Sequence, residues 1–399
     1  MMVYYETEDT TDIPSVIGIS SAQKLAKIGV DPEYPLSGNY ILTADIDLSG
    51  YDNWTPIGYY SGDTNINGAT TQFMGTFDGN GHTISNMYCL VDGGTYRFAG
   101  LFGSLKDATV KNLCLKDCKS YVYNGNKTSA AGMLTGGTVC SGSSPYSTVI
   151  SNVSVIGGFV KCAKANASNP GAAGGIVGWS QSGVTIKDCY VDTDVTAVLN
   201  VSGTAESAQL GAGGLVGMAY EAKMTATDCI FAGTLDAKKH YGSECTSPTV
   251  SYWRQNAMLG FNNKGMSDTK YDNTQKAIIT DCYYTSDITV NTQNPRGADG
   301  TAKTAKALAL SDLSELGLDE SVWVHNGFTP ILRVGGQKAF VSGDATADGK
   351  TDILDLIRLK KYLADDTVSA ALKAIDLDLS AAIDGGDLVL LKRALIVAK

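Results

Sequence analysis

The 399-residue chain is poor in charge, with only 18% Asp, Glu, Lys and Arg, against about a quarter in an ordinary soluble domain. The charge present leans acidic, 41 to 31, for a formal net charge of −10. No basic surface of the kind nucleic-acid binding needs is expected. Three histidines, His82, His240 and His325, are too few for a His-rich metal centre. The nine cysteines are odd in number and include no C-x-x-C pair, so neither a zinc site nor a dense disulfide framework is expected. No run of about 18 apolar residues exists, which excludes a helical membrane span. Residues 1–11 are acidic and lack the apolar core of a signal peptide.

Glycine and apolar residues are plentiful: 45 Gly, 20 Tyr and 43% hydrophobic side chains. They recur in a pattern. A six-residue motif reads apolar, any, Asn or Asp, apolar, any, mostly apolar. Its Asn/Asp positions are Asn86, Asn112, Asn152, Asp188, Asp228 and Asp281, at spacings of 26, 40, 36, 40 and 53 residues. About ten residues before most copies stands a glycine-flanked apolar element: Gly100-Leu101-Phe102-Gly103, Gly174-Gly175-Ile176-Val177-Gly178 and Gly213-Gly214-Leu215-Val216-Gly217. Period-2 apolar placement between glycine-rich turns indicates short strands. Such a unit cannot bury its apolar face alone, but stacked copies can. The spacing fits a parallel β-helix with one coil per repeat, and the 53-residue interval leaves room for two.

In such a coil the Asn/Asp column supplies turn residues that tolerate positive φ. The next column, Met87, Leu113, Val153, Cys189, Cys229 and Cys282, points inward, with cysteine serving as a small buried hydrophobe. Asp188, Asp228 and Asp281 admit two readings, turn residues or stacked carboxylates able to bind calcium or form a catalytic pair. His82, directly after the turn Asp78-Gly79-Asn80-Gly81, reads as a turn-packing residue with no nucleophile nearby. Two caps are expected. One is a short helix over Ser20–Gly29, with Ser20 and Gln23 at capping-box spacing. The other comprises a helix over 305–317 and a final strand within 323–332.

The combination of Tyr40-Ile41-Leu42-Thr43-Ala44-Asp45-Ile46-Asp47-Leu48, Gly75-Thr76-Phe77-Asp78-Gly79-Asn80-Gly81-His82-Thr83-Ile84 and the glycine-flanked elements resembles the GLUG-motif proteins over residues 15–335. That resemblance implies a right-handed parallel β-helix of an exported bacterial surface protein, often adhesin-like. Some family members carry a peptidase domain elsewhere, but no H-E-x-x-H occurs here, and no G-x-S-x-G with a plausible His partner.

From Gly343 the composition shifts to Leu, Lys and Asp, and a duplication at an offset of 32 appears. The first copy spaces Asp344, Thr346, Asp348, Asp352 and Asp355 as loop positions 1, 3, 5, 9 and 12. Gly349 is at position 6, and the Lys350 carbonyl is available at position 7. This is the oxygen-ligand spacing that wraps a hard cation such as Ca²⁺. The second copy offers Asp376, Asp378, Ser380, Asp384 and Asp387, with Ala381 in place of the glycine, so the second calcium site is expected to be weaker. Each loop leads into an apolar helix. The pair resembles a cellulosome-type dockerin over 343–399, a small all-α, EF-hand-like module. The resemblance implies calcium-dependent binding to a cohesin module of a scaffoldin. By that family's pattern, the contacts fall on Ile353, Leu354, Lys360 and Lys361 in the first copy. In the second they fall on Gly385, Gly386, Lys392 and Arg393.

The chain thus reads as mainly β: an N-terminal tail (1–14), a β-helix with helical caps (15–335), a linker (336–342) and a dockerin (343–399). The resemblance places it in an extracellular or cell-surface complex. The expected function is a non-catalytic binding or adhesion module. Its ligand would be a polysaccharide or a host or bacterial surface, met by long loops at 119–130, 137–148, 161–173, 198–211 and 237–257. Tyr121, Tyr123, Trp179, Tyr220, Tyr252 and Trp253 are candidate stacking rings in or near them. Two alternatives stand beside it: a β-helical polysaccharide lyase or glycoside hydrolase, by analogy of fold alone, and a peptidase-associated surface protein. No catalytic residue can be named for either.

Overall fold

A computed structural model describes residues 16–59, 71–92, 98–125, 128–138, 147–164, 170–200, 210–220, 224–240, 253–263, 277–285, 303–304, 313–365, 368, 370–377, 380 and 382–397. These residues form a parallel β-solenoid followed by a small helical module. One turn can be followed from residue 147. Ser147–Lys164 runs as a long strand that bends at Gly157 and Gly158, both at φ +71°. Gly171–Gly174 and Val177–Ser180 close the turn. Gly183–Asn200 then opens the next one in parallel register, with Ile150 beside Ile186 and Val160 beside Val195.

Repeating this course builds one 15-stranded sheet and two five-stranded ones. The first five-stranded sheet stacks Phe98–Ala99, Ser129–Gly132, Gly171–Gly174, Leu210–Gly213 and Trp253–Asn256. The second stacks Phe102–Ser104, Thr135–Thr138, Val177–Ser180, Val216–Tyr220 and Leu259–Asn263. Met224–Phe231 pairs directly with Ile278–Thr280, so the 53-residue interval is a single turn. Much of the expected loop sequence is strand: Lys119–Gly125, Ser129–Gly132 and the end of Ser147–Lys164 all lie in sheets.

The Asn/Asp column forms a corner of the stack. Asn112, Asn152, Asp188, Asp228 and Asp281 all have φ between +49° and +54°, a region in which Asn and Asp are the most tolerated side chains. Asn152 Nδ2 donates to Asn112 Oδ1 and Asn112 Nδ2 to Asp78 Oδ1, both at 3.0 Å. Asn86 belongs to a different corner. Its N–H donates to Lys116 O, which sets it level with Asp117. The 26-residue interval is shorter than a turn, so the motif there matches the neighbouring bend. Met87 accordingly stands next to Cys118, outside the column of Leu113, Val153, Cys189, Cys229 and Cys282. All seven of these inward residues are fully buried.

The glycine-flanked elements turn the chain between the two five-stranded sheets. A Cβ on Gly214 would sit 1.9 Å from Ala257 O, and one on Gly175 2.1 Å from Gly214 O. Backbones of successive turns touch here, and only glycine allows it. Leu101, Ile176 and Leu215, adjoining these glycines, are fully buried.

At the first end Val16–Ile19 pairs with Asn39–Leu42. Helix α1 (Ala22–Leu25) is a single turn capped by Ser21, not Ser20: the Ser21 hydroxyl accepts from Lys24 N at 3.3 Å. The far segment departs from the expected cap. Residues 305–312 lie outside the described set, and 313–317 form turns. Trp323–His325 and Pro330–Leu332 pair as an antiparallel hairpin. The stretch 313–335 lies along the flank of the solenoid as a strap. Tyr283 Oη donates to Leu316 O, Trp323 Nε1 to Asp188 Oδ1, and Gly335 N to Gly81 O. The cause is visible in the outward residues Cys114, Tyr190, Ile230 and Tyr283. They form an apolar stripe that Leu318, Trp323, Val324, Ile331 and Leu332 bury in a second core.

Candidate functional site

The helical module contains α2 (Ile353–Ala364), α3 (Leu372–Ile375) and α4 (Gly385–Val397). Leu359 and Leu391 meet Ala345, Ala370 and Ile375 in a small core, with Leu356, Leu388 and Leu395 at its edge. The 32-residue offset is kept in space, since Leu356 and Leu359 occupy the places of Leu388 and Leu391 in the other copy.

The two acidic loops share three hydrogen bonds at equivalent positions. The position-1 carboxylate accepts from the position-5 amide: Asp344 from Asp348 N at 3.2 Å, Asp376 from Ser380 N at 3.0 Å. The position-12 carboxylate accepts from the position-9 amide: Asp355 from Asp352 N at 2.6 Å, Asp387 from Asp384 N at 2.9 Å. The position-9 carboxylate accepts from the position-11 amide: Asp352 from Leu354 N at 2.7 Å, Asp384 from Gly386 N at 2.6 Å. In the first loop the bond from Asp352 N to Asp355 is also half of the capping box of α2, whose other half runs from the Asp355 amide to the Asp352 carboxylate, so the loop and the helix start are one unit.

Positions 1, 3 and 12 of the first loop converge. The Thr346 hydroxyl lies 3.3 Å from Asp344 Oδ1 and 3.0 Å from Asp355 Oδ1, and its single proton serves one of them at a time. Asp344 and Asp355 are buried, as are Asp376 and Asp387. The remaining partners of Asp344 are the Asp348 and Gly349 amides, and those of Asp355 are the Thr346 and Asp352 amides. Among the described residues, every partner of these two carboxylates is neutral. Buried anions without a counter-charge are costly, and an oxygen-seeking divalent cation is the charge that this donor set suits. Among the described residues no three His, Cys, Asp or Glu side chains are already drawn together as a metal cluster. Asp348 and Asp352 instead accept from Lys350 N and Leu354 N. Asp378 and Ala381 lie outside the described residues. Gly349 has φ +86° and Ala347 φ +58°, the left-handed kinks that fold the first loop back on itself.

Beside the loops, α2 turns an apolar and basic face outward. Ile353 is 60% and Leu354 54% exposed. Lys360 and Lys361 are exposed too, as are Gly385, Gly386, Lys392 and Arg393 on α4. Sequence reasoning missed Ile357, 45% exposed, and its counterpart Val389. Both follow loop position 10 by one helical turn, and the 32-residue offset relates them.

Residues 342–396 match the dockerin type I domain family. They form a dockerin type I domain. Type I dockerins bind calcium, and a dockerin implies a cohesin partner and a cellulosome-type assembly, which is extracellular or at the cell surface. No curated protein matches the chain. A solved structure of a "putative immunoglobulin A1 protease" from Bacteroides ovatus is similar at 19% identity and a TM-score of 0.49, covering 80% of this chain and 92% of that one. No helix among the described residues is long and apolar enough to cross a membrane.

Outside the dockerin, the candidate rings separate. Tyr121 and Tyr123 share the outer side of Lys119–Gly125, with ring centroids 5.9 Å apart, and Lys161 Nζ stands 5.2 Å over the Tyr121 ring. Trp179 is instead buried with Phe98, Met218, Ala130 and Ala172, and so offers no face to a ligand. Tyr252 and the side chains of Tyr220 and Trp253 lie outside the described residues. His82 Nδ1 pairs with Asp45 Oδ1 at 3.1 Å, and Thr83 N donates to the same oxygen at 2.9 Å. The amide of Thr83 first, and then His82, hold the Asp45 carboxyl below its ordinary pKa. This arrangement ties the Asn80-Gly81 turn to the preceding coil.

Proposed function

We propose that this chain is a non-catalytic binding protein that joins an extracellular assembly by calcium-dependent docking of its dockerin on a scaffoldin cohesin. The observation that carries the reading is the first loop, where buried Asp344 and Asp355 share Thr346 and have only neutral partners among the described residues. Asp344, Thr346, Asp348, Asp352, Asp355 and the Lys350 carbonyl would hold one calcium ion. Asp376, Asp378, Ser380, Asp384 and Asp387 would hold a second, more weakly. The ion supplies positive charge to the buried carboxylates and fixes each loop against its helix. The chain's own part is to present Ile353, Leu354, Ile357, Lys360 and Lys361 on one rigid face, with Gly385, Gly386, Lys392 and Arg393 as a second, less apolar version.

The solenoid would carry the binding role. The corner glycines and the Asn/Asp column support its placement with the GLUG-motif repeat proteins. Tyr121 and Tyr123, with Lys161 beside them, are rings suited to stacking on the apolar face of a sugar; Tyr123 is 43% exposed.

Surface plasmon resonance of the full chain over immobilised type I cohesins tests the docking. Binding in calcium, abolished by EDTA and weakened at least tenfold by Ile353→Asp with Ile357→Asp, is expected. Binding that ignores EDTA would refute it. Depletion onto insoluble polysaccharide without sugar release, lost in Tyr121→Ala with Tyr123→Ala, is expected for the solenoid; release of oligosaccharides would overturn the non-catalytic reading.

A further inference from the structure

The tip of the strap hairpin touches the dockerin. Gly327 is buried at φ +99°, and its carbonyl accepts from Lys373 N in α3 at 3.0 Å. A Cβ there would stand 2.7 Å from the Ala371 methyl and 3.4 Å from that of Ala374. Asn326 Oδ1 accepts from Phe328 N and Thr329 N, both at 2.9 Å, and His325 Nδ1 accepts from Gly327 N at 3.0 Å, so the tip is held in shape. The chain leaving the strap returns to it: Phe340 N donates to His325 O at 2.9 Å, and the two rings meet edge to face at 5.9 Å. On its other side α3 is bonded into the dockerin itself, with Gly343 N donating to Ala374 O at 2.7 Å and Ala371 N to Ala345 O at 3.1 Å.

We infer that the 326–329 turn is a docking site for the dockerin of the same chain, holding the module on the solenoid's flank instead of on a free tether. Three features favour a built contact. The close approach requires a glycine on one side and alanines on the other. The backbone donor and acceptor between the modules satisfy each other in a buried place. The connecting residues are bonded at both ends, Gly335 N to Gly81 O and Phe340 N to His325 O. The clasp uses α3, which lies between the two acidic loops, and Ile353, Ile357, Lys360 and Lys361 stay exposed. The solenoid therefore sets the direction in which the outer helix face is presented, and a partner bound there would hold the whole solenoid in a fixed attitude.

The test uses the full chain in excess calcium. Lys338, exposed in the connecting stretch, is a trypsin site, and cleavage there is followed by mass spectrometry. The wild-type chain is expected to be cut at Lys338 at least tenfold more slowly than Gly327→Val. Small-angle scattering should show a larger maximum dimension for that variant. Ala371→Glu places the obstruction on the dockerin side and should reproduce both effects. It carries the test if Gly327→Val also disturbs the strap, which a red shift in tryptophan emission would reveal. Equal cleavage rates and equal dimensions for wild type and Ala371→Glu would overturn the inference.

Discussion

Asp228 lies between Asp188 and Asp281 in the corner column, where other turns carry asparagine. Partial burial first, then the neighbouring Asp188 and Asp281 carboxylates, raise its pKa above the ordinary value, with Lys187 opposing. A carboxyl whose pKa is raised by folding holds its proton longer in the native state. Its contribution to stability is therefore greatest below the unfolded pKa and is lost as pH rises through the folded one. Asp228→Asn keeps the left-handed turn and removes the repulsion. It should stabilise the chain at pH 7 by on the order of 1 kcal/mol or less, with no gain at pH 3, as read by urea titration at both pH values. Ser154 poses a related problem: its hydroxyl is buried with no hydrogen-bond partner among the described residues. Ser154→Ala should gain up to about 1 kcal/mol, and a loss of that size would show an unseen partner. The seven described cysteines are free and buried. Burial pushes the Cys89 thiol up to about 12. In a Cys140→Ser, Cys245→Ser chain, a thiol reagent should find none reactive in the native state and seven after unfolding. Native-state labelling would show that the column is open.

At the scale of elements, the corner residues and inward column were legible because each has one physical task repeated in every turn. Positive φ selects Asn or Asp, and close approach of successive turns selects Gly. What was not legible is the strap. The motif position after the inward column, which holds Cys114, Ser154, Tyr190, Ile230 and Tyr283, looked unconstrained, because in an isolated sheet it faces solvent. Its apolar bias was the signal, and only the returning segment 313–335 gives it meaning. Asn86 was misassigned for a similar reason, since two bends of one turn demand the same residue type. If the strap is a packed element, Trp323→Ala, which removes a fully buried indole and its bond to Asp188, should cost about 3–5 kcal/mol in urea unfolding. A cost below about 1 kcal/mol would mean that the strap lies loosely on the surface.

At the scale of the molecule, a stack of parallel sheets carries a small module whose exposed helix face combines apolar and basic side chains. The acidic loops were readable from spacing alone, because five oxygen ligands and a glycine seldom coincide by chance. The apolar centre of the helix face, Ile357 and Val389, was not read, because an exposed aliphatic residue at helical spacing looks like core until the packing is known. Calorimetric titration of calcium into the EDTA-stripped full chain tests the account most directly. Uptake at two sites of unequal affinity, with Asp344→Ala removing the stronger one and leaving the solenoid's circular dichroism unchanged, is the predicted result. No heat of binding and no calcium-dependent rise in the unfolding temperature would contradict it.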